Sequence, residues 1–71
     1  MSEEARLSVV RELLDRRGVV HTRVTVAGAA RDIAVVHGAR PEAVSELIER
    51  VREAGFRFLA VDLEELARDD A

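Results

Sequence analysis

The chain contains no cysteine, no lysine, no tryptophan and no tyrosine, and it has one proline among 71 residues. Without cysteine there is no disulfide, no thiolate nucleophile and no sulfur ligand for zinc. Two histidines with no clustered carboxylate supply too few ligands for a metal centre, so neither a metal nor another cofactor is expected. Aromatic residues make up only 3% of the sequence, which leaves Val, Leu, Ile and Ala to build the core. The apolar runs fall well short of the roughly 20 residues a membrane-spanning helix requires. The N-terminus opens on Ser2, Glu3 and Glu4 instead of a basic leader. A soluble, cytoplasmic protein with no membrane partner is the expectation.

Charge excludes a second class of partner. Eleven arginines are interleaved with fourteen acidic residues for a net charge of −3, so no basic face is broad enough to track a phosphate backbone, and nucleic acid is not an expected partner. Length points the other way, toward protein partners. A chain of this size forms one domain, residues 1–71, and buries only about 60% of the surface its unfolded form exposes. With disulfides and metals unavailable, association with another chain is the remaining support for so small a fold.

What is present is two helix-then-strand units. Ser2 is placed to cap a helix whose first turn carries Glu3 and Glu4. Val9, Val10, Leu13 and Leu14 recur at helical spacing, and Gly18 supplies the stop. From Val19 the period changes to two. Val20, Thr22, Val24 and Val26 fall on one side, and Val19, His21, Arg23, Thr25 and Ala27 on the other, as in a strand with one wet face. "RDIAVV" (Arg31 to Val36) pairs back across Gly28 as a hairpin, although Ala29, Ala30 and Ala34 leave a helical continuation open. Pro41 starts a second helix with the apolar stripe Val44, Leu47, Ile48, Val51 and Ala54, and Gly55 with Phe56 fits a Schellman end. A third strand runs from about Arg57 to Val61, before a short terminal helix.

The order α-β-β-α-β(-α) predicts an α+β fold: a two-layer sandwich with a three-stranded sheet and two helices on one face. A crossover from the second strand to the third leaves room for the first strand between them. The opposite face stays bare, with Val19, Ala27, Val36 and parts of "FLAV" exposed, and such a patch on a small protein marks an interface.

Few side chains read as chemistry. Asp62, one residue before "LEEL", and Glu65 three residues later fit a capping box in preference to a ligand or catalytic pair. His21 and His37 read as surface histidines near opposite ends of the hairpin. Ser8 and Ser45 sit in helices without a base beside them. Arg23 and Arg31 could meet across the hairpin as an anion-binding pair, against the alternative of solvated surface charge. No catalytic residue is identified, and the chain is not expected to be an enzyme.

Taken together, "RVTVAG", "IAV", "ELIERVREAGFRF" and "VDLE" resemble the C-terminal domain of the ATP-dependent sacrificial sulfur transferases, PP-loop enzymes of nickel-pincer cofactor synthesis. The resemblance runs from the first helix through Glu64 and rests on Gly28, Ile33, Val35, Gly55, Phe56, Arg57, Asp62, Leu63 and Glu64. It departs from the family at two points. Thr25 replaces the second of two strand arginines that help hold a substrate phosphate, leaving Arg23, and Glu65, Leu66, Ala67 and Arg68 replace the Y-R-S-G tail. The family's ATP-binding domain, with its S-G-G-x-D-S loop and sulfur-donating cysteine, has no counterpart in the sequence. The resemblance thus implies a non-catalytic assembly or accessory module that forms homo-oligomers or docks on a separate PP-loop ATP-pyrophosphatase subunit. The alternative is a small ligand-sensing domain that binds an anionic metabolite.

Overall fold

The computed structural model describes residues 2–63. Helix α1 (Glu3–Arg16) begins as its sequence requires. Ser2 Oγ accepts from the Ala5 amide at 3.1 Å, and Glu3 and Glu4 occupy the positive end of the dipole. It ends in a Schellman turn, with the Val19 amide reaching the Leu14 carbonyl (2.9 Å) and the Gly18 amide reaching that of Asp15 (3.1 Å). The same pair of bonds recurs at Gly55: Phe56 N–H to the Val51 carbonyl (3.4 Å) and Gly55 N–H to that of Arg52 (3.0 Å). The two glycine stops are therefore alike in geometry as well as in sequence.

Strand β1 (Arg23–Ala27) pairs antiparallel with β2 (Ile33–His37), which forms the expected hairpin. The first strand is shorter than its periodicity suggests. Val19 to Thr22 lie outside the ladder, and Val20 is 82% exposed. Beyond β2, Pro41 opens a helical segment that breaks at Glu46 and Leu47 into α2 (Pro41–Ser45) and α3 (Ile48–Glu53). The break re-phases the stripe. Val44, Leu47, Val51 and Ala54 stay buried, while Ile48 turns out to 42% exposure.

Strand β3 (Phe58–Asp62) pairs parallel with β2, and the sheet order is β1-β2-β3. The expectation that β1 lies between β2 and β3 is corrected. The hairpin occupies one edge of β2, and the α2–α3 crossover delivers β3 to the other, so the most buried strand is the one that pairs on both sides.

Strand alternation and this register sort the sheet residues. Val24, Val26, Ala34, Val36, Leu59 and Val61 face the helices and join Leu7, Val10, Leu14, Val44, Leu47, Val51 and Phe56 in a single aliphatic core. Val36 is therefore core and not part of the bare face, because Ile33 and Val35 take the outward phase. At about 25 cal/mol per Å² of apolar surface, this one layer supplies most of the stabilisation available to the chain. Among the described residues the helices cover one side of the sheet, as in an α+β sandwich. No helix of the described residues is long and apolar enough to cross a membrane.

Candidate functional site

The face turned away from the helices carries three cross-strand rows: Ala27–Ile33–Phe58, Thr25–Val35–Ala60 and Arg23–His37–Asp62. It grades from apolar to ionisable along the strands. At the apolar end Phe58 is 55% exposed, with Ala27, Ile33 and Val35 partly covered.

At the polar end lies the densest chemistry of the described residues. His37 is the last residue of β2 and only 8% exposed, which corrects its reading as a surface histidine. Its Nδ1 lies 3.0 Å from Asp62 Oδ2, and its Nε2 lies 2.8 Å from Thr25 Oγ1. A carboxylate only accepts, so Nδ1 carries a proton toward Asp62, and in the neutral imidazole Nε2 accepts from the Thr25 hydroxyl. Hydroxyl, imidazole and carboxylate are thus joined in the connectivity of a nucleophile, base and orienting acid. The backbone of β2 is paired on both sides, with β1 and with β3, through this stretch. One side chain from each strand thus ties the three strands together and satisfies a buried imidazole. The spacing Thr25–His37–Asp62 carries no sequence signal, because it exists only through the strand pairing.

Other expected residues are placed differently. Arg23 and Arg31 do not form an anion pair, since the register sets Arg23 opposite His37 at the open end of the hairpin and Arg31 lies in its turn. Arg31, in the left-handed region at φ 55°, is ion-paired with Glu3 of α1. Asp62 ends β3 with Oδ2 engaged by His37, while Glu65, the other half of the expected capping box, lies outside the described residues, as does the short terminal helix. His21 is half-buried, its Nδ1 3.0 Å from the Val19 carbonyl. Among the described residues no group of three His, Cys, Asp or Glu side chains is placed to hold a metal. No family model, curated protein or solved structure matches the chain.

Proposed function

We propose that the protein is a non-catalytic assembly module that self-associates through the apolar end of its uncovered sheet face. The observation that carries this reading is the row Ala27–Ile33–Phe58 with Val35 and Ala60 beside it, a continuous apolar surface on the side away from the helices. A second copy is the occupant that the grading of the face favours. A two-fold axis near the Ala27–Ile33–Phe58 row sets apolar rows against each other and leaves Arg23 and Asp62 in water at the two ends, where neither charge is desolvated. Resemblance to the C-terminal domain of the sulfur transferases supports the same role. A separately encoded PP-loop ATP-pyrophosphatase subunit is then the foreign partner to test against self-association.

Sedimentation velocity on the wild type and on Val35→Asp tests the reading. Val35 points out of the sheet, so the charge leaves the core intact and disrupts only the shared face. A dimer or higher oligomer that Val35→Asp converts to monomer is the expected result. A wild-type monomer throughout the high-micromolar range overturns self-association and turns the face toward the foreign subunit.

A further inference from the structure

A pocket of about 360 Å³ opens at the Schellman turn after α3, lined by Arg52, Gly55, Phe56, Arg57 and Phe58. Its volume lies at the lower end of the range that small-molecule sites occupy. Two arginines and a half-exposed ring line it, and among the described residues no carboxylate does. Neither Arg52 nor Arg57 has a carboxylate partner among the described residues, and the Arg57 guanidinium lies 5.9 Å from the centre of the Phe58 ring. A third guanidinium stands behind the wall. Arg6 of α1 donates from Nη1 to the Gly55 carbonyl at 3.2 Å and stacks on Phe56 at 4.8 Å. A chain of net charge −3 thus gathers three positive groups around one concavity, where converging fields draw in an anion.

We infer that this pocket is a binding site for a small planar aromatic oxyanion, an aryl phosphate or aryl carboxylate. Arg52 and Arg57 take the oxyanion through paired N–H donors, a geometry the guanidinium fork matches, and the exposed Phe58 ring stacks on the ligand's ring. Gly55, without a side chain, lets Arg6 pack closely against the turn behind the pocket. Phe58 is shared with the proposed self-association face, so a ligand and a second copy compete for its ring, whereas Arg52 and Arg57 lie outside the sheet strands.

The test is a ¹⁵N–¹H NMR titration with phenyl phosphate, and with inorganic phosphate alongside. Phenyl phosphate should shift the Gly55, Arg57 and Phe58 amides saturably, with a Kd of about 1 mM or tighter. Inorganic phosphate should bind the same residues more weakly. The double variant Arg52→Gln/Arg57→Gln, both positions exposed, should lose roughly tenfold or more in affinity. Phe58→Leu should remove the advantage of phenyl phosphate while leaving that of inorganic phosphate unchanged. Val35→Asp, which leaves Phe58 uncovered, should bind phenyl phosphate at least as tightly as the wild type, and loss of binding in this variant overturns the site. Absence of shifts at the pocket, or undiminished binding by the double variant, overturns the site. Equal affinity for the two probes in the wild type overturns the aromatic half of the assignment.

Discussion

At the scale of single residues, His37 decides most. Its position before Gly38 reads as the mouth of a loop, because a polar residue beside glycine is a loop signal in any one-dimensional reading. Pairing on both sides extends β2 through it and buries it. Asp62→Ala strips the carboxylate from a buried Nδ1–H and should cost about 1–3 kcal/mol. Asp62→Asn keeps an acceptor and should cost less, as urea unfolding would show. Equal losses for the two would mean that the bond to His37 contributes nothing. The matched glycines make a second residue-scale prediction. Gly18→Ala meets no atom within 4 Å and should cost only the left-handed backbone term, about 1–2 kcal/mol. At Gly55, with φ 109°, the added carbon would lie 2.9 Å from Arg6 Cδ and push that side chain off Phe56. Gly55→Ala should therefore lower Tm further than Gly18→Ala.

At the scale of elements, what was legible followed from local rules. The Ser2 cap, the Pro41 start, both Schellman stops and the hairpin at Gly28 each depend on a few adjacent residues, and each formed where the sequence placed it. The helix break at Glu46 and Leu47 was not legible. Val44, Leu47 and Val51 keep a helical spacing across it, and Leu47 stays inside at 1% exposure although its own backbone leaves the helix. The cost of that local departure is offset by core burial, which periodicity cannot detect. Leu47→Ala should then cost about 2–5 kcal/mol, whereas Ile48→Ala, equally apolar and one residue on, should stay within about 0.5 kcal/mol. Chemical denaturation of the two variants separates a broken stripe from a continuous one, in which both would be costly.

At the scale of the whole molecule, the sheet order and the Thr25–His37–Asp62 array were the parts that sequence could not deliver. Both arise from which strand meets which, and alternation along one strand carries no information about its neighbour. The class of fold was legible, since two helical stripes and three short strands admit few layered arrangements. If the sheet face left uncovered among the described residues self-associates as proposed, Tm should rise as protein concentration rises, and Val35→Asp should flatten that dependence. A wild-type Tm that is independent of concentration would overturn self-association.

The strand order also sets a sequence in time. His37 finds Thr25 across 12 residues of hairpin, but Asp62 across 25 residues that include both short helices. Contacts that close long segments form late in folding, and parallel ladders are slightly weaker per residue than antiparallel ones. Strand β3 is thus expected to lock last and open first, with β1 and β2 persisting as a hairpin packed on α1. In native-state hydrogen exchange, the β3 amides should lose protection before those that β2 shares with β1. The domain would then have a detachable edge, with a hairpin-and-helix nucleus that outlives it in every opening event.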